Sequence, residues 1–573
     1  MVEVVRHDLV VVGGGAAGIR AAIAAVEADP KITVALVSKV YPMRSHTVSA
    51  EGGAAAVVPG SDDSLDKHAY DTVKGSDFLA DQPVVDYFVE QAPLELTRLE
   101  HWGCPWSRNE DGGVATRPFG GMQIPRTWYA ADKVGFHMLH ALFQHSMRFD
   151  RIVRYDEYFV TKLLVDGRVV RGVAALDVRE GKTRVVLGRA VILATGGAGK
   201  CFPFTTNGMI KTGDGMSLAY RAGVGLKDME FVQYHPTGLP GTGILITEAS
   251  RGEGGYVINS EGERFLVTRD YGCGQKAELG PRDMISRAIM QEIGAGRGVK
   301  GPYGDHVLLD LRHLGEAKIM KRLPFVRELS MTYAGVDPVH QPIPIRPVVH
   351  YMMGGVDTDV TGATELPGLY AAGECASVSL NGANRLGSNS LTECLVFGAR
   401  AALEALKYAR GTSEGNETSL RRQGEEEMAR IDALRGRKKG GEKVAQIRRE
   451  MNLSMERGCG VYREQASMQQ TVAEIAQLKG RFADLALEDE SKVFNTEILT
   501  ALELGNMLDV AEAIAVTAAA RHESRGAHAC SDYPKRDDQK FLHHSLVYFT
   551  PSGPRLEKKT VTITRFQPEE RKY

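Results

Sequence analysis

Cysteine is scarce and scattered in this 573-residue sequence: Cys104, Cys201, Cys273, Cys375, Cys394, Cys459 and Cys530, with no C-x-x-C pair among them. That spacing argues against an iron–sulfur cluster or an attached haem held by the chain's own thiols. The odd count, with no recognisable export signal, points to reduced thiols in a cytoplasmic compartment. Long apolar runs are also missing, so no membrane-spanning helix is expected and any membrane association must come through a partner. Positive charge is not in surplus: 70 Lys and Arg face 72 Asp and Glu, and nothing global draws nucleic acid or an anionic membrane. Met1 to Asp8 run straight into a strand-like segment, so no cleaved leader is expected and the chain is expected to stay where it is made.

What is present suffices for several cores. Hydrophobic residues make up 43%, and 573 residues exceed what one core usually organises. Leu9 to Val12 read as a short buried strand, Gly13-Gly14-Gly15-Ala16-Ala17-Gly18 as a tight turn, and the Ala-rich stretch after it as a helix, with a second strand at Ile32 to Val37. Helical periodicity covers about Pro83 to Trp102 and Asp132 to Phe149, where His137, His140 and His145 read as packing or surface residues for want of a complete ligand set. Tyr158 to Val186 alternate as an antiparallel meander with turns at Asp166-Gly167 and Glu180-Gly181, and Ala190 to Leu193 form a buried strand ending in glycines. From about Ser419 to Leu487 the sequence is charged and helical, with Lys438-Lys439-Gly440-Gly441 as a connection.

Gly13, Gly15 and Gly18 between strand and helix suit a dinucleotide: a tight turn, close approach of backbone to a pyrophosphate, and close packing of helix on strand. The helix N-terminus then faces the pyrophosphate with its positive end. The second strand ends in Ser38-Lys39 where a ribose-binding acid is usual, which weakens an NAD reading and leaves flavin open.

The segment Tyr41-Pro42-Met43-Arg44-Ser45-His46-Thr47-Val48-Ser49-Ala50-Glu51-Gly52-Gly53 resembles the flavin-linking segment of the fumarate reductase and succinate dehydrogenase flavoproteins. Further segments match in that family's order: Ala194-Thr195-Gly196-Gly197, Thr212-Gly213-Asp214-Gly215, Gly373-Glu374 and Ser388-Asn389-Ser390-Leu391. The resemblance spans nearly the whole chain and implies FAD joined covalently through His46. It also implies that Ser38, Lys39, Thr47, Gly52, Gly53, Thr195, Gly196, Gly197, Asp214 and Arg385 help hold FAD, that Glu374 holds its ribose or ribityl region, and that Ser390 and Leu391 face the pyrimidine edge.

A dicarboxylate needs two separated sets of cationic or hydrogen-bonding groups. The resemblance assigns His235 and Thr247 to one carboxylate, and His350 and Arg385 to the other. It makes Arg282 the proton donor to the substrate carbon, resupplied through Glu248 and Arg251. A guanidinium is a very weak acid, so an electrostatic clamp is the competing reading of Arg282. Ser250 stands where many bacterial fumarate reductases have cysteine. Glu51 matches the glutamate of one kind of fumarate reductase, where succinate dehydrogenases usually have glutamine, so a carboxylate that lowers the flavin potential unless it is protonated or paired is expected there, with a loop hydrogen bond as the alternative role.

L-aspartate oxidase shares this architecture, but its loop lacks the flavin-linking histidine. A noncatalytic flavin scaffold or an RNA-modifying flavoprotein has no need of His235, Arg282, His350 and Arg385 together. The expected fold class is α/β: a Rossmann-like FAD-binding domain (1–234 and 351–415) with an inserted mixed α+β capping domain (235–350), a helical domain (416–525) and a small C-terminal domain (526–573). Implied partners are an iron–sulfur subunit and a membrane anchor with quinone, which would hold the chain peripherally at the cytoplasmic face of the inner membrane. No nucleic acid is expected. Succinate oxidation is the alternative physiological direction.

Overall fold

A computed structural model describes residues 2–437 and 441–572; Lys438, Lys439 and Gly440 of the expected connection lie outside the described residues. Leu9–Val12 is buried at every position, as expected of a parallel strand covered on both faces. It is the middle of a parallel five-stranded sheet in the order Leu369–Ala371, Ala190–Leu193, Leu9–Val12, Val34–Ser38, Ile152–Asp156. The helix Ala16–Ala28 is buried from Ala16 to Val26, because the sheet lies on one side and the helix Asn389–Arg410 on the other. Gly398 permits that second contact, since a Cβ there would stand 2.5 Å from Ala17 O.

The meander consists of Tyr158–Asp166, Val169–Asp177 and Lys182–Leu187, extended by the parallel strand Glu3–Arg6. A separate sheet orders Val232–Gly238, Ile343–Met352, Val307–Asp310 and Tyr256–Ile258, and packs on the helix Arg282–Gly294 over its own apolar core. Four long helices follow, Glu417–Arg435, Val444–Cys459, Gln465–Phe482 and Thr496–Ala520. The last is buried almost all round, and its Asp509 accepts from Ser217 Oγ at 2.8 Å and Arg221 Nε at 2.6 Å, which ties it to the flavin-binding part. The C-terminal hairpin, His543–Tyr548 with Arg555–Thr560, completes a sheet begun by Leu226–Lys227, Gly355–Asp357 and Ala376–Ser377. Among the described residues no helix is long and apolar enough to cross a membrane.

Candidate active site

The central sheet's strands open at their C-terminal ends onto a cavity, as ligand sites in open α/β sheets do. Gly13 adopts φ +121°, and an added Cβ would stand 2.2 Å from Ala194 O; one at Gly18 would stand 1.8 Å from Gly13 O. Neither position admits a side chain, so the turn closes tightly and presents Gly13, Gly14, Gly15 and Ala16 to the cavity. The N-terminus of the helix Asn389–Arg410 reaches the same cavity through Ser390 and Leu391. Two helix N-termini converging on one space suit an elongated anionic cofactor, with a pyrophosphate at one end and a ring able to carry negative charge at the other. The residues therefore fit FAD.

Ser38, Lys39, His46, Thr47, Thr195, Gly196, Asp214, Glu374, Ser390 and Leu391 all line this cavity. Gly197 sits behind it, packed on Glu374, where a Cβ would meet Oε1 at 2.4 Å. Gly52 and Gly53 lie outside the wall: Gly52 packs against Phe119 and faces Thr247 Oγ1, and Gly53 packs on Thr127 and Trp128. The Lys39 ammonium is committed to Asp214 and Glu503, each at 2.7 Å, and Asn506 Nδ2 donates to Asp214 at 3.0 Å. Lys211 pairs with Glu374, so the acid expected at the ribose has a cationic partner that no sequence motif marked.

His46 opens a short 3-10 turn, and Gly208 N donates to its Nδ1 at 3.3 Å, leaving Nε2 as the other ring nitrogen. Burial, then Lys211 and Lys200, lowers the imidazole to a pKa of about 3, so it is neutral under ordinary conditions.

A second group of side chains gathers beside the cavity. In the strand pair Val232–Gly238 and Ile343–Met352, Gln233 is opposite Tyr351 while Tyr234 is opposite Val349, so His350 is the extra residue of a bulge. A bulge re-aims one side chain. The His350 ring thereby comes within 5.0 Å of the His235 ring, centroid to centroid. Gln233 Oε1 accepts from both Arg282 Nη1 and Arg385 Nη2 at 3.1 Å, and Gln233 Nε2 donates to Arg385 O at 2.8 Å. Arg385 also covers the Tyr351 ring at 4.3 Å and donates to Ser390 Oγ at 3.1 Å, so it touches both the cofactor wall and this group.

Glu248 Oε2 accepts from Arg282 Nε at 2.6 Å and lies 3.6 Å from Arg251 Nη2, while its Oε1 accepts from Gly120 N at 2.5 Å. Arg282, Glu248 and Arg251 thus form a continuous buried line. Burial pushes Glu248 up, but Arg282 and Arg251 outweigh it and hold the carboxyl below the usual range, so it is ionised. His235 and His350 are pushed far down by burial, with Arg282 next in effect, and are neutral. Burial also lowers Arg385 to about 10.

Thr237 N donates to His235 Nδ1 at 3.2 Å, and the Thr237 hydroxyl donates to Ile246 O at 2.6 Å, which leaves Nε2–H of His235 as a free donor. Thr206 Oγ1 lies 2.8 Å from His350 Nδ1 and takes a hydrogen from Asn207 Nδ2 at 3.4 Å, so Thr206 and Asn207 orient the His350 ring. Buried arginines in excess of carboxylate, flanked by neutral donors, call for an anionic ligand. The residues that motif reading left without a role are Gln233, Gly120, Thr206 and Lys211. Gln233 stands two residues before His235, but a neutral amide carries no charge signal.

The FAD binding domain family matches residues 8–391, and the fumarate reductase flavoprotein C-terminal family matches residues 448–573. The chain is 56% identical over 581 residues to the fumarate reductase flavoprotein subunit of Mycobacterium tuberculosis, with 99% of each covered. It is 41% identical to the succinate dehydrogenase flavoprotein subunit of Rickettsia bellii, over 98% of this chain and 96% of that one. A solved point variant of E. coli quinol fumarate reductase aligns with a TM-score of 0.97 and 52% identity over 99% of both chains.

Proposed function

The chain belongs to the fumarate reductase flavoprotein family, and from that premise we propose that it interconverts fumarate and succinate, with fumarate reduction as its working direction. It is a catalytic flavoprotein subunit of an oxidoreductase and binds FAD. FAD, when bound, supplies the hydride chemistry. The protein's part is to bind, orient and protonate. His235 and Thr247 hold one carboxylate, and His350 and Arg385 hold the other. Arg282 delivers a proton from its guanidinium to the substrate carbon, and Glu248 with Arg251 returns one. The backbone amides at Ser390 and Leu391 stabilise negative charge at the far edge of the cofactor site.

One observation carries this reading: Gln233 Oε1 accepts from Arg282 and Arg385 at once, which fixes the proton donor and a carboxylate clamp in one frame. A clamp alone does not require the ionised Glu248 hydrogen-bonded to Arg282 Nε, whereas a proton relay does.

FAD is proposed to be covalently joined to His46 through Nε2. An imidazole substituted at Nε2 keeps Nδ1 only as an acceptor, the role that the Gly208 N–H requires. Having no clustered cysteines, the chain exchanges electrons with an iron–sulfur subunit, and through it with quinone at a membrane anchor on the cytoplasmic face of the inner membrane. We assign residues 1–234 and 351–415 to FAD binding, 235–350 to a cap that excludes water from the reaction, 416–525 to a helical domain and 526–573 to a C-terminal domain.

Turnover of both succinate and fumarate with artificial electron carriers tests the reaction and its direction, and inactivity with both refutes it. Acid precipitation tests the linkage: a yellow pellet is expected, and a yellow supernatant over a colourless pellet refutes it.

A further inference from the structure

The helix that begins with Arg282 is held from outside its own domain by the C-terminal segment. Residues 561–572 run back over the flavin-binding part. Gln82 Oε1 accepts from the backbone N–H groups of Thr564, Arg565 and Phe566 at 3.0, 2.8 and 3.0 Å. Arg565 pairs with Asp66 at 2.5 Å and with Asp86. Tyr70 donates to Glu569 at 2.5 Å, and Lys74 Nζ donates to Lys572 O at 2.6 Å. The segment therefore lies along the helix Leu65–Gly75 as a strap.

At its end the strap inserts Arg571 between two carboxylates of different regions. Its Nη2 lies 2.6 Å from Asp283 Oδ2 and 3.3 Å from Asp77 Oδ2, and the side chain is only 6% exposed. Asp283 follows Arg282 directly in the helix Arg282–Gly294, whereas Asp77 follows the helix Leu65–Gly75. Arg287 also reaches Asp283, at 3.2 Å, and its Nη1 donates to Gly526 O at 2.9 Å, a second hold on the same helix that does not involve the strap. Without Arg571 the direct charge between the two buried carboxylates is lost, and they stay linked by way of Gly526, whose N–H donates to Asp77 Oδ2 at 2.8 Å, and Arg287.

We propose that Arg571 is a positioning residue for the reaction: by bridging Asp283 and Asp77 it anchors the helix that presents Arg282 to the substrate carbon. It touches no reacting atom. This rests on the assignment of Arg282 as proton donor. His350 and Arg385 lie on other segments, and the strap reaches their carboxylate only indirectly, through the Gln233 amide that Arg282 and Arg385 share. The tie therefore acts on turnover more than on affinity.

The test compares the wild-type complex with Arg571→Ala and Arg571→Lys, per mole of bound flavin. Arg571→Ala should lower kcat for fumarate about tenfold, because a small misplacement of a reacting group is costly, while KM changes less than about threefold. Amide exchange in residues 282–294 should speed up in the same variant. Lysine keeps the charge but loses the second contact that Arg571 Nη1 makes to Asp283 Oδ1 at 3.4 Å, so Arg571→Lys should fall between. Wild-type kcat and exchange in a folded Arg571→Ala overturns the proposal, as does a loss of flavin and stability with kcat per flavin unchanged. If Arg571→Ala does not fold, an Arg571→Lys with wild-type kcat and exchange overturns it as well. A wild type that turns over neither dicarboxylate refutes the reading of Arg282 instead, and the exchange measurement still reports on the tether.

Discussion

Arg282 can donate two kinds of help, a hydrogen bond or a proton, and only one survives replacement by glutamine. Arg282→Gln should abolish nearly all fumarate reduction while flavin content stays at the wild-type level. Loss of one positioning contact costs a few kcal/mol at most, so activity within about tenfold of wild type reduces the residue to a clamp. Glu51 calls for a different expectation from the one its position in the motif suggested. The carboxyl is buried and Oε2 has no hydrogen-bond partner; burial first, and Asp132 second, push it well above the usual range. Both favour the neutral acid, which is electrostatically close to glutamine. Glu51→Gln should therefore change the ratio of succinate oxidation to fumarate reduction little where the acid is neutral. Wild type and variant should diverge as rising pH ionises Glu51, and a large, pH-independent shift would contradict the neutral state. The motif residues were legible because charged and glycine side chains advertise their chemistry locally. The protonation of Glu51 was not, because Asp132 arrives from a distant segment.

At the scale of elements, the strands and helices near the cofactor follow from apolar runs and turn residues, and the sequence reading places them to within a few positions. The bulge at His350 does not follow from any residue type, since it is a register shift between two strands far apart in the chain. The tie between the proposed cap and the part before it in the chain was equally hidden. Asp132 Oδ2 accepts from Phe325 N at 2.8 Å and Val326 N at 3.2 Å, at the start of the helix Pro324–Leu329. An aspartate of one region thus satisfies the helix end of another. Lys133 reinforces the contact over the Phe325 ring at 4.4 Å. Asp132→Ala removes the acceptor and should cost about 1 kcal/mol in denaturant unfolding, with a higher KM for fumarate as the cap loosens. Asp132→Asn keeps an acceptor and relieves a buried charge that burial already pushes toward the neutral form. It should match wild type in both measurements, and equal losses in the two variants would show that the cap interaction is not what stabilises the joint.

Over the whole molecule, the C-terminal hairpin leads into the strap, and one histidine makes the hairpin's attachment depend on pH. His544 lies on the strand His543–Tyr548, with Nδ1 2.6 Å from Asp228 Oδ2 and Nε2 at the longer ion-pair distance of 3.5 Å from Asp81 Oδ1. Burial and Lys227 both lower its pKa, but the Asp228 charge and hydrogen bond, with the Asp81 carboxylate nearby, prevail and raise it to about 9. The unfolded value is about 6.5. A histidine whose folded pKa is raised contributes stability that is fully present below its unfolded pKa and is lost as pH rises through the folded one. Attachment of the hairpin should accordingly weaken between about pH 6.5 and about pH 9, the range set by these two values. Asp81 is itself held below the usual carboxylate range and stays ionised throughout. The same strand leads through Arg555–Thr560 into the strap, so release of the hairpin removes one end support of residues 561–572 and should make the segment easier to cleave. Limited proteolysis of the C-terminal segment, followed across this range, should accelerate with pH in the wild type. In His544→Gln the rate should be high already at low pH and nearly flat across the same window. A wild-type rate that does not change with pH would show that His544 is not the charged partner of Asp228, whatever the distance between them.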